Sequence, residues 1–122
     1  MSATTIRPTG KASIGVIPTA VAVGGDSVWV AALAPFGPYA AVWRLDPVTT
    51  RVTQTTRLGK VVGFPPTLEI AFGEGAAWVA SYDAGTVTRL DPVTGNIVKT
   101  IRIGGHPSGI AVGANRVWVT VS

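Results

Sequence analysis

The sequence predicts an all-β chain assembled from repeated four-stranded units. Three observations carry that prediction. One phrase, an apolar run, a short polar turn and a second apolar run centred on tryptophan, occurs three times, at residues 20–31, 69–80 and 109–120. A second phrase interleaves with it: Val42-Trp43-Arg44-Leu45-Asp46-Pro47-Val48-Thr49-Thr50 returns as Val87-Thr88-Arg89-Leu90-Asp91-Pro92-Val93-Thr94-Gly95. Fifteen Gly and nine Pro in 122 residues supply the frequent turns that short strands need.

Taken in order, the chain opens on a worn copy of the second phrase. Thr5-Ile6-Arg7-Pro8-Thr9-Gly10 aligns with Arg89-Leu90-Asp91-Pro92-Thr94-Gly95 when Val93 is skipped. Residues 11–16 then stand where 96–101 stand, so residues 3–16 are read as two strands, c and d. Residues 20–31 form a hairpin of strands a and b, since two apolar runs flank the Gly24-Gly25-Asp26 turn. Strands c and d follow at 42–45 and 51–58, joined by Asp-Pro-Val-Thr. There Asp accepts from backbone N–H groups two residues on, Pro presets φ, and Thr50 or Gly95 closes the turn. The pattern repeats through 69–103, and 109–120 supplies a last a–b hairpin. The predicted order is therefore c-d, a-b-c-d, a-b-c-d, a-b.

Trp29 to Trp78 is 49 residues and Trp78 to Trp118 is 40. The extra residues fall between b and c at 33–39 and between d and a around 60–66. In a meander those connections share one edge, so both insertions are expected at one face. Runs such as Val28-Trp29-Val30 are apolar at consecutive positions, as suits a strand covered on both faces.

Bulk properties exclude several classes. Charged residues make up 13% against 47% hydrophobic, which excludes a disordered chain. There is no Cys, so neither a disulfide framework nor a thiolate metal site is available. The net charge of +4 is spread over single Lys and Arg residues without stacking aromatics, so no nucleic-acid partner is expected. No apolar run approaches the roughly 18 residues of a membrane span. Residues 1–13 carry Arg7 and Lys11 without an apolar stretch, so no signal peptide is expected. The expectation is a soluble protein, cytoplasmic by default, with no membrane partner.

A period of about 40–45 residues with four strands per unit marks a β-propeller blade. The Trp-Val-Ala phrase (Trp-Val-Thr in the last copy) and the run Arg-Leu-Asp-Pro-Val-Thr-Gly-Asn-Ile-Val-Lys-Thr-Ile-Arg-Ile-Gly-Gly-His-Pro-Ser-Gly-Ile-Ala-Val-Gly at 89–113 resemble the YVTN-type propeller repeats, akin to streptogramin-lyase-like propellers. The likeness covers nearly the whole chain. It departs where Asn often follows the first motif, since Ala32, Ser81 and Val121 stand there. The family spans enzymes and binding modules, so it constrains fold more than function.

Equivalent repeat positions assign Trp29, Trp78 and Trp118 to packing between blades. Trp43 is expected to be partly exposed, because its counterpart is Thr88. Asp46 and Asp91 read as structural turn residues. His106 is the single histidine, in the d–a connection Gly104-Gly105-His106-Pro107. The streptogramin-lyase resemblance implies a His and a Glu working with magnesium, which makes His106 a weak candidate general base. Glu69 and Glu74 have no motif around them, and Glu74 belongs at the opposite face. The expected ligand face comprises Phe36, Tyr39, Lys60, Phe64, Tyr82, Asp83 and His106, with no metal site and no cofactor outside the lyase alternative.

Three blades cannot close a ring, since propellers use about four to eight. Two copies give six. The expected assembly is a homodimer in which residues 3–16 of one chain complete a blade with 108–121 of the other. The expected function is a binding or scaffold module. The alternatives are a magnesium-dependent lyase and a truncated or engineered fragment without activity of its own.

Overall fold

The computed structural model describes residues 18–33, 39–60 and 68–122. The expected strands at 3–16 and most of both insertions, Phe36 and Phe64 included, lie outside these residues. Among the described residues ten strands follow in order: β1 (Pro18–Gly24), β2 (Ser27–Leu33), β3 (Tyr39–Leu45), β4 (Val52–Lys60), β5 (Leu68–Gly73), β6 (Ala76–Ser81), β7 (Thr86–Leu90), β8 (Ile97–Arg102), β9 (Pro107–Gly113) and β10 (Arg116–Val121). All pairings are antiparallel between neighbours in sequence. β1 to β4 make one four-stranded sheet, β5 to β8 a second, and β9 with β10 a hairpin. These are the a-b-c-d, a-b-c-d, a-b units read from the repeats.

Each a–b hairpin turns on two residues in the left-handed region: Gly25 and Asp26, Glu74 and Gly75, Ala114 and Asn115, with φ between 50° and 70°. Paired positive φ values are the type I′ geometry, whose twist matches that of the flanking strands. The turn fixes the register. Gly24 faces Ser27, Gly73 faces Ala76 and Gly113 faces Arg116. Within each hairpin the tryptophan indole donates back to the glycine carbonyl five residues earlier. Trp29 reaches Gly24 O at 3.0 Å, Trp78 reaches Gly73 O at 3.0 Å and Trp118 reaches Gly113 O at 3.3 Å.

The a strands β1, β5 and β9 pack side by side. Their ends coincide: Gly24 lies against the Phe72 ring and Gly73 against Val112. At Gly73 an added Cβ would come within 2.6 Å of Val112 Cγ1, so the close approach of neighbouring strands requires glycine there. With the a strands in step, the C-terminal ends of β2, β4, β6 and β8 fall at the same end.

The main core lies between the two sheets. Trp29, Ala31, Ala40 and Val42 from the first meet Leu68, Ile70, Ala77, Val79 and Leu90 from the second. Trp29 stacks on Phe72 with ring centroids 6.1 Å apart. A second cluster, Ala32, Ala41, Trp43 and Leu45 with Val28 and Val30, covers the opposite face of the first sheet. Trp43 is only 6% exposed, against the expectation of partial exposure. The reason is that Thr88 is itself buried to the same 6%, so the polar counterpart does not mark a wet position. Among the described residues no helix is long and apolar enough to cross a membrane.

Candidate functional site

The connections at the b–c and d–a edge bring together part of the expected set. The turn after β6 closes when Gly85 N donates to Ser81 O and Tyr82 O, at 3.0 and 3.2 Å, with Gly85 at φ 67°. Ile103 N donates to Gly85 O at 2.8 Å, which ties the end of β8 to that turn. His106 then lies over Tyr82, rings stacked with centroids 4.8 Å apart and planes 26° apart. Its Nδ1 is 2.8 Å from Tyr82 O. A carbonyl only accepts, so Nδ1 carries the proton and a neutral ring leaves its lone pair on Nε2. Asp83 follows Tyr82 in the same turn. The His106 backbone also pairs with Ser122, whose N–H donates to His106 O at 2.9 Å.

On the first sheet, Tyr39 opens β3 opposite Lys60 in the ladder. The Arg57 guanidinium sits over the Tyr39 ring at 4.6 Å. Glu69 pairs with Ala80, toward the edge that holds Tyr82, whereas Glu74 sits in the β5–β6 turn at the other end. No group of three His, Asp or Glu side chains that could hold a metal ion occurs among the described residues.

Asp46 and Asp91 take the structural role expected of them. Asp46 Oδ1 accepts from the backbone N–H groups of Val48 and Thr49 at 2.7 and 2.9 Å; Asp91 Oδ1 accepts from Val93 and Thr94 at 2.7 and 3.0 Å. These bonds to the ionised form, Thr49 ahead of Val48 and Thr94 ahead of Val93, hold both carboxyls below the usual carboxylate range. Thr50 at φ 59° and Gly95 at φ 72° close the two turns.

Sequence reasoning missed Arg44. Its guanidinium lies over the Trp29 ring at 5.7 Å, and Nη1 donates across the sheet boundary to Pro92 O at 2.8 Å and Val93 O at 2.6 Å. Thr56 Oγ1 adds a bond to Gly95 O at 2.6 Å. The side of the first sheet thus grips the β7–β8 turn of the second. The available signal was the recurrence of Arg immediately before Leu-Asp-Pro in both copies.

The β9–β10 hairpin differs from the sheets. Trp118 is 57% exposed where Trp29 is 1% exposed, and an apolar groove of about 300 Å³ is lined by Gly109, Ile110, Ala111, Trp118, Val119 and Thr120. At the far side of the first sheet, Val21 and Val23 are 64% and 73% exposed.

No family model matches the sequence, and no curated sequence relative matches it. Solved structures do resemble it. The hydrazine synthase of Kuenenia stuttgartiensis superposes with TM-score 0.67 at 18% identity, over 98% of this chain and 33% of that one. A luciferin-regenerating enzyme matches with TM-score 0.56 at 15% identity, over 86% of this chain and 37% of that one. The glutaminyl cyclase of Myxococcus xanthus matches with TM-score 0.51 at 13% identity, over 87% of this chain and 68% of that one. The chain spans about one third of the length of the first two. These neighbours are β-propeller-like, and the fold of this chain is of that kind.

Proposed function

We propose that this chain is one arc of a β-propeller, a binding or scaffold module that completes its ring with a second copy of itself. The observation that carries the reading is the contrast between equivalent tryptophans. Trp29 is covered by the sheet that follows it, while Trp118, in the same repeat position, has 57% of its surface open. At the opposite end the inner strand is open in the complementary sense: Val21 and Val23 are exposed, while Trp43 and Leu45 on the same face are buried. Val21 and Val23 correspond to Ile70 and Phe72, the residues of β5 that cover Trp29 and its neighbours. One end therefore carries an uncovered tryptophan face, and the other carries the valines of a covering face. Apolar surfaces of this kind are association surfaces.

A two-fold pairing of such arcs places each tryptophan end on a valine end, giving two identical junctions and six blades. Residues 3–16 of one copy and 108–121 of the other make the shared blades. The b–c and d–a connections, with the stacked Tyr82 and His106, Asp83, Tyr39 and Lys60, form the surface offered to a ligand. Light scattering of the purified chain at micromolar concentration tests the reading. A species of twice 12.5 kDa is expected; a folded monomer at all concentrations overturns it.

A further inference from the structure

Neighbouring a strands meet through one repeated contact. Each a strand ends on an equivalent glycine, Gly24, Gly73 or Gly113, preceded by an apolar residue, Val23, Phe72 or Val112. A Cβ built on Gly24 would lie 2.8 Å from Phe72 Cβ, and one built on Gly73 would lie 2.9 Å from Val112 Cβ. The glycine is therefore a notch, filled by the residue just before the glycine of the next unit. The same spacing holds at both junctions, although the filling side chain is aromatic in one and aliphatic in the other. A tryptophan borders each notch, because its indole bonds the carbonyl of that same glycine.

The third notch is open. A Cβ on Gly113 meets nothing within 4 Å among the described residues, and Trp118 beside it is 57% exposed. The first filling residue is unseated in turn. Val23 aligns with Phe72 and Val112, which are both half-buried, yet 73% of its own surface is exposed.

We infer that Val23 of a second copy seats in the Gly113 notch, against Trp118, and that this contact sets the register between copies. It rests on the ring-closing reading above and names the residues that meet at the inner layer of the junction. Valine in a glycine notch is a combination the chain already makes once, with Val112 on Gly73. A second copy supplies the valine rather than the same chain, because β5 stands between β1 and β9 and packs on both. Two copies facing each other in this way make the contact twice, so that neither notch nor valine is left over.

The test uses the full chain and sedimentation equilibrium. Gly113→Val fills the notch, so it should raise the dimer dissociation constant at least about tenfold. At concentrations low enough to keep the chain monomeric, its unfolding midpoint should match that of the wild type. Gly73→Val should instead lower the midpoint at every concentration, since Val112 already fills that notch. Val23→Asp brings a carboxylate into the apolar contact and should weaken the dimer at least as much, with the monomer still folded. A cysteine pair identifies the contact itself, because the chain has no native cysteine. The Cβ spacing at the internal notches is only about 1 Å short of the ~3.8 Å of a disulfide. On oxidation with diamide, the variant with Val23→Cys and Gly113→Cys should become a covalent dimer. A wild-type dimer that neither Gly113→Val nor Val23→Asp weakens overturns the notch contact and leaves ring closure standing. A cysteine pair that forms no interchain bond, or that closes within one chain, overturns it too. A wild-type chain that is monomeric throughout removes ring closure and this contact together. Should the Gly113 variants fail to fold, Val23→Asp decides alone, and an unchanged dissociation constant overturns the contact.

Discussion

The described residues contain two junctions between successive repeats, and they are built from the same parts to different degrees. Between the first and second sheets every layer is engaged. β1 packs on β5, Trp29 stacks on Phe72, and at the outer edge Arg44 and Thr56 grip the turn around Pro92 and Gly95. Between the second sheet and the hairpin the inner layer is engaged, with β9 packed against β5 and β6, while Lys99, the counterpart of Gln54, is exposed. A junction of this fold is therefore two separable contacts. The inner contact is apolar and made by the a and b strands. The outer contact is polar, and it reads the backbone of a turn.

The largest expected effect tests the apolar half. Trp29→Ala should destabilise the fold by about 3–5 kcal/mol in urea unfolding, the usual range for a buried aromatic, and the loss should not depend on protein concentration. Trp118→Ala removes the same residue type from an open face. Its cost should be small at low concentration and grow as the chain associates, because ligation by a partner stabilises only what the partner touches. Equal, concentration-independent losses at both sites would break the comparison.

Gly95→Ala probes the polar half. It places a side chain at φ 72° and against the Gln54 amide, so a loss of about 1–3 kcal/mol is expected. The reciprocal change, Thr50→Gly, removes a β-branched residue from φ 59° and should raise stability by about 1 kcal/mol. Thermal midpoints of the two variants should move in opposite directions.

The turn carboxylates give a pH signature. Asp46 and Asp91 are depressed by hydrogen bonds to their ionised forms, so their contribution is complete above the ordinary carboxyl range. It fades as the pH falls from about 4 through the lower folded-state values. Asp46→Asn and Asp91→Asn should each shrink the drop in urea midpoint between pH 7 and pH 3. The smallest effect belongs to Ala114→Gly, which relieves φ 52° in the last hairpin and should add about 0.5–1 kcal/mol.

Much of this architecture was legible in the sequence because repetition reports register directly. Once Val28-Trp29-Val30 is aligned with Val117-Trp118-Val119, the hairpins, their turns and the Asp-Pro connections follow. Contacts between repeats were harder to read. The Arg44 bond to Pro92 spans 48 residues and ends on a carbonyl, which no side-chain pattern announces. Trp43 is buried although its counterpart Thr88 is polar, because a threonine suits a buried strand as well. The site was half visible. His106 and Tyr82 were expected on one edge, but their stacking depends on how Gly85 and Ile103 pull two connections together, a matter of backbone geometry.

The indole-to-glycine bond in each hairpin has a further consequence, for how the polypeptide reaches its native form. It closes over five residues in all three copies, whether the tryptophan is deeply covered or open. Each hairpin thus holds its own alignment before any neighbour arrives, and hairpins of this size zip within about 1–10 μs. During synthesis the first hairpin can form on emergence and wait, correctly paired, for the strands that will cover it. Duplication of one unit would carry this local alignment with it, so the array could lengthen without a new solution to the pairing problem.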